Sequence, residues 1–292
     1  MVAGGRPHFA AVVAVAAVLG AGCGGDEGTP VANDPVIEDS GPIHVHGLGI
    51  NPADEALFIA THTGLFRAAK DEQKAERVAG RYQDTMAFTV VGPNRFMGSG
   101  HPDGRDDLPP FLGLIETSDA GESWQAISLQ GQADFHVLEV AGRRVYGFGS
   151  DFRTRQPRFM ASTDRGRSWQ ERKFPEVLAS LALDPSDASR LVAAGESGLH
   201  LSRDGGASWR GLRAQSGLLA WPRHDRLYVL EHNGAVSMSR DAGRSWQAVG
   251  SVGGPPSAFD SAPGGALLAA RHDGTIVQSE DGGRTWRVRS AP

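Results

Sequence analysis

Ser202-Arg203-Asp204-Gly205-Gly206-Ala207-Ser208-Trp209 decides the reading of this chain, because its pattern, Ser/Thr-x-Asp-x-Gly-x-Ser/Thr-Trp, recurs four more times. The other copies run 117–124, 162–169, 239–246 and 279–286. Their aspartates, Asp119, Asp164, Asp204, Asp241 and Asp281, are therefore 45, 40, 37 and 40 residues apart. Self-similarity at a period near 40 marks an architecture built of repeated units. The residue types suit a turn between two strands. The carboxylate can accept backbone N–H groups, the glycine can take a positive φ, and the tryptophan can bury a large ring. These aspartates are read as structural.

Working outward from each turn, every repeat reads as four short strands. The second strand aligns without gaps as ALFIATH (56–62), RFMGSGH (95–101), RVYGFGS (144–150), RLVAAGE (190–196), RLYVLEH (226–232) and ALLAARH (266–272). The first repeat keeps three strands, but its turn has decayed to AAKDEQKAERV (68–78). The six repeats lie near 43–80, 81–129, 130–173, 174–212, 213–249 and 250–289. The expectation is an all-β, six-bladed β-propeller of four-stranded antiparallel blades, spanning 43–292. A seven-bladed ring is the alternative, and no shared blade joining the two ends is visible.

The repeated turn resembles that of the Asp-box (BNR) family, which is found in sialidases and many other β-propellers. Three further stretches resemble exported bacterial members labelled sialidase-like or glycosyl-hydrolase-like: His44-Val45-His46-Gly47-Leu48, Ser99-Gly100-His101-Pro102 and Ala133-Asp134-Phe135-His136. The resemblance implies that the turns lie away from the ligand face. It does not fix an activity, since this fold carries many.

Composition bounds the rest. In 292 residues, 29 Lys+Arg against 34 Asp+Glu give a net charge of −5, with 40% hydrophobic and 22% charged residues. That suits a globular chain and offers no basic surface for nucleic acid. The only cysteine, Cys23, excludes an intrachain disulfide and a cysteine-built zinc site. It follows Arg6 and the apolar run Phe9–Leu19, which is too short to span a bilayer. Residues 1–23 resemble a bacterial lipoprotein signal with Cys23 as the lipidated residue, although Gly20 stands where that family prefers leucine. Residues 24–42 are acidic and rich in Gly and Pro, as a flexible tether would be. The chain is expected to be exported, monomeric and lipid-anchored at the cell surface or in the periplasm.

In a propeller the first strand of each blade lines the central channel. Sorted by that rule, eight of the nine histidines beyond residue 23 fall on one face, and His224 on the other. His44, His46 and His136 open first strands, while His62, His101, His232 and His272 end second strands. Asp84 and Asp134 occupy the rim positions of the second and third blades. Imidazoles beside carboxylates suit one divalent transition metal, Zn²⁺ or Cu²⁺, with His44, His46, His62, His101 and His136 as candidate ligands. The alternative is a hydrogen-bonded polar channel lining.

If the chain is an enzyme, Asp84 and Asp134 are the candidate carboxylate pair of a glycosidase. Sialidases, which the repeats resemble, also need three clamping arginines and a Tyr–Glu nucleophile. Tyr82 is the sole tyrosine candidate here, nothing fixes Arg81, Arg105, Arg153 and Arg155 into a clamp, and an Arg-Ile-Pro signature is absent. The preferred expectation is therefore a binding protein for a glycan or protein ligand, with a glycosidase or an assembly scaffold as alternatives.

Overall fold

The computed structural model describes residues 41–212 and 216–292. The signal segment, Cys23 and the tether up to residue 40 lie outside the described residues. Six four-stranded antiparallel sheets follow one another along the chain. The first two blades are β1 (Val45–Ile50), β2 (Leu57–Thr61), β3 (Gly64–Ala68) and β4 (Glu76–Arg77), then β5 (Asp84–Gly92), β6 (Arg95–His101), β7 (Leu114–Thr117) and β8 (Gln125–Ser128). The third and fourth are β9 (Ala133–Ala141), β10 (Arg144–Asp151), β11 (Pro157–Ser162) and β12 (Gln170–Arg172), then β13 (Ser180–Asp184), β14 (Asp187–Gly195), β15 (Gly198–Ser202) and β16 (Arg210–Gly211). The last two are β17 (Leu218–Arg223), β18 (Arg226–Leu230), β19 (Ala235–Ser239) and β20 (Gln247–Ser251), then β21 (Pro256–Ser261), β22 (Leu267–Arg271), β23 (Ile276–Ser279) and β24 (Arg287–Ser290). This is a six-bladed β-propeller, and the seven-bladed alternative falls away. No helix among the described residues is long and apolar enough to cross a membrane.

The repeated turns join the third and fourth strands of blades two to six, and all five are built alike. In blade four the Ser208 backbone N–H and hydroxyl donate to the two Asp204 carboxylate oxygens at 2.9 and 2.5 Å, and the Ser202 hydroxyl adds a third bond at 2.8 Å. The Gly206 N–H donates to Ser202 Oγ at 2.9 Å, with Gly206 at φ 80°. These bonds, the Ser208 hydroxyl first, hold the Asp204 carboxyl down at about 2. The aspartates thus close turns, and each turn packs on the preceding blade. A Cβ on Gly166 would strike Leu114 of blade two, and one on Gly206 would strike Phe159 of blade three.

The core is divided among the six seams between blades. Five seam clusters contain the tryptophan of the following blade's turn, namely Trp124, Trp169, Trp209, Trp246 and Trp286. The seam between blades six and one has no such tryptophan, because the first blade's turn has decayed, and its cluster uses Ala68 and Ala75 instead. A groove of about 590 Å³ opens along this seam. Outer strands β8, β20 and β24 each carry one extra residue in their pairing, at Ile127, Val249 and Arg289. In the first two blades of that set the residue is apolar and packs against the same seam cluster as the next turn's tryptophan. Arg289 instead is 6% exposed and donates to the carbonyls of Ala69 and Glu72 at 3.0 and 2.8 Å, with Ala68 at 3.4 Å. The ring therefore closes without a shared blade, through β1 against β21 and through Arg289 gripping the decayed turn. The first blade also retains a two-residue fourth strand, and the fifth repeat ends at Ser251, two residues beyond its expected limit.

Candidate metal centre at the channel mouth

Innermost strands begin at one face of the ring, and in four blades they begin irregularly. The register of β1, β5, β9 and β21 shifts so that His46, Met86, His136 and Ser257 are unpaired extra residues. A β-bulge re-aims its side chain, and these four residues line the upper part of a central channel with a cavity of about 200 Å³. Blades four and five carry no bulge at that level, and their contribution there includes Ala179 and Leu218. The histidines of this wall thus belong to blades one and three, and blade six adds Ser257.

Blade one and the start of blade two assemble the tighter cluster. The rings of His46 and His62 meet edge to face at 4.2 Å, and His44 lies 5.7 Å from His62. His44 holds φ at 54°, an uncommon conformation for a residue other than glycine. His62 Nδ1 stands 3.1 Å from each carboxylate oxygen of Asp84. His46, His62 and Asp84 each place a potential ligand atom within 4.8 Å of the other two. His46 Nε2 is buried with no hydrogen-bond partner among the described residues. Burial, followed by the fields of His62, His136 and His44, pushes the His46 imidazole down to about 4. Its ring is thus neutral at pH 7 and keeps a nitrogen lone pair, the form in which histidine binds metal.

Blades two and three build a second cluster beside it. His136 Nε2 lies 3.0 Å from Asp134 Oδ2, and His101 Nε2 approaches the same oxygen at 3.5 Å. The hydrogen bond to Asp134 raises the His136 imidazole above its ordinary range. His101 Nδ1 is fixed at 2.8 Å from the Pro110 carbonyl, and its ring packs edge-on to Phe111. Pro110 and Phe111 belong to the long loop after β6. That loop meets the long loop after β10 where Phe111 abuts Phe152 at 5.2 Å. These two insertions brace His101.

The remaining sequence candidates lie apart. His232 and His272 form an exposed pair 6.5 Å apart at blades five and six. His200 pairs with Glu176 at 2.7 Å, and His224 binds Asp184 at 2.9 Å at the far end of β13. Tyr146 and Tyr228 are buried, as packing residues should be. Tyr82 is exposed, with the guanidinium groups of Arg77 and Arg105 over its ring. Arg81 is paired with Asp106 and Arg105 with Asp103, so neither is a free clamp for a carboxylate ligand. Asp84 and Asp134 are each engaged by histidine.

Sequence reasoning missed two channel groups. Glu139 and Asp260 line the same cavity, each three residues beyond a bulge, in blades that stand opposite in a six-membered ring. Burial pushes the Asp260 carboxyl up to about 7, and burial together with Asp260 holds Glu139 well above the usual carboxylate range. The available signal was a carboxylate in the middle of an otherwise apolar innermost strand.

No family model matches the chain, and no curated protein matches it. Among solved structures, an ancestral GH74 enzyme superposes with a TM-score of 0.55 at 13% identity, covering 86% of this chain and 39% of its own. YCF48 bound to a D1 peptide gives a TM-score of 0.46 at 16% identity, covering 70% of this chain and 67% of that one. A GH74 enzyme from Niastella koreensis gives 0.40 at 12% identity, over 82% and 56%. The chain spans about two-fifths of the length of the ancestral GH74 enzyme. At such identities the likeness shows the propeller fold alone.

Proposed function

We propose that this chain is a binding protein of the Asp-box propeller type, tethered outside the cytoplasm through lipid on Cys23. In this reading the mouth of its channel holds a divalent transition metal, Zn²⁺ or Cu²⁺, between His46, His62 and Asp84. The observation that carries it is the convergence of those three donors within 4.8 Å, one of them a buried nitrogen without a hydrogen-bond partner. Two imidazoles and a carboxylate leave a tetrahedral ion one position for an outside ligand. The exposed loops around the mouth would let a glycan or protein group reach it. The glycosidase reading is less well supported, because Asp84 and Asp134 both have histidine partners. The five turns support membership of the Asp-box repeats, and the leader with its single cysteine supports the anchor.

The test is metal retention after dialysis of the purified chain against Zn²⁺ or Cu²⁺ and then against metal-free buffer. At least one ion retained per parent chain, and one fewer in His46→Ala/His62→Ala, is the expected result. A parent that keeps no metal overturns the reading and leaves the histidines as channel lining.

A further inference from the structure

The repeat places a histidine–aspartate pair across two successive seams. His62, just after β2, meets Asp84 at the head of β5 at 3.1 Å, and His101, ending β6, meets Asp134 in β9 at 3.5 Å. Each pair is completed by a histidine on a channel bulge, His46 for the first and His136 for the second. The chain thus carries two sets of two histidines and one aspartate.

The second set has the donors for a cation and a buried oxygen that lacks a partner. The Pro110 carbonyl can only accept a hydrogen bond, so His101 Nδ1 donates to it and leaves Nε2 as the nitrogen turned to the channel mouth. His101 Nε2 then faces Asp134 Oδ2 at 3.5 Å. In addition, Asp134 is 4% exposed, and its Oδ1 has no hydrogen-bond partner among the described residues. A buried carboxylate oxygen left so is costly unless a donor or cation meets it.

We propose that His101, Asp134 and His136 hold a second divalent transition-metal ion, which makes the channel mouth a two-ion centre. This rests on the first ion lying at His46, His62 and Asp84. The first set is the tighter one, with all donors within 4.8 Å, so it fills first. The second fills at higher Zn²⁺ as His101 and His136 close around the carboxylate. Both rings are partly open to solvent, so their removal leaves the core intact.

The experiment is native mass spectrometry of the folded full-length chain, titrated with Zn²⁺ to a ten-fold excess. The parent is expected to take two ions in succession, His101→Ala/His136→Ala one, His46→Ala/His62→Ala one, and the quadruple variant none. Asp134→Asn, nearly isosteric, should also bind one, and melting curves without metal check that every variant folds. A parent that stops at one ion, or a second ion that survives His101→Ala/His136→Ala, overturns the second site and leaves the first standing. A parent that takes none fails the first reading as well.

Discussion

Gly206 shows how tightly single residues are specified in this ring. It sits at φ 80°, and a Cβ there would fall 2.6 Å from Phe159 of the preceding blade. Gly206→Ala should therefore destabilise by about 2 kcal/mol through backbone strain and overpacking, read from denaturant midpoints. The turn aspartates act through hydrogen bonds. Asp204 and Asp241 are held at about 2, below the carboxylate range of an unfolded chain. Such groups contribute stability above about pH 4, and that contribution is lost as the pH falls toward 2. Asp204→Ala should melt lower than the parent at pH 7, and the gap should narrow toward pH 2. These turns were legible in the sequence, because the hydrogen bonds that their aspartates accept run within eight residues. The aim of His46 was not, because it depends on which residue of β1 is left unpaired against β2.

Strands were legible because alternation and turn spacing are local; what joins them was less so. The second-strand column put His62 and His101 on the face where first strands begin, but not their contacts with Asp84 and Asp134 of the next blade. The closing seam could not be read, since Arg289 meets residues some 220 positions away in the chain. Its guanidinium replaces an apolar side chain and a tryptophan at the one seam that lacks a complete turn. Arg289→Ala should leave several carbonyls without donors and cost roughly 2–4 kcal/mol, a charged hydrogen-bond donor being worth more than a neutral one. Thermal melts check this, and a variant as stable as the parent would show that β1 against β21 closes the ring unaided. The first blade's short β4 belongs to the same account. With its turn decayed, only Glu76 and Arg77 still pair with β3.

Across the whole ring, the channel joins a histidine mouth in blades one to three to an acidic pair in blades three and six. Among the described residues lining that cavity no lysine or arginine offsets Glu139 and Asp260. A carboxyl raised to about 7 keeps the folded chain at full stability below the unfolded value near 4. Stability then falls as the pH rises from about 4 to about 7, where the unfolded state ionises and the folded state resists. Asp260→Asn should remove much of that decline and stabilise the chain by about 2 kcal/mol at pH 8, with little effect at pH 4. Denaturant titrations at the two pH values test it. At this scale the six-bladed ring was legible from repeat counting, and the acidic pair was not, because it joins opposite blades. The proposed metal ion at the channel mouth can be located directly. The most direct measurement is an anomalous difference map at the zinc edge from crystals of the Zn²⁺-loaded chain. The expected result is a peak about 2.0–2.1 Å from a nitrogen of His46 and of His62, with an Asp84 oxygen alongside. A loaded crystal with no peak between those two rings would contradict it.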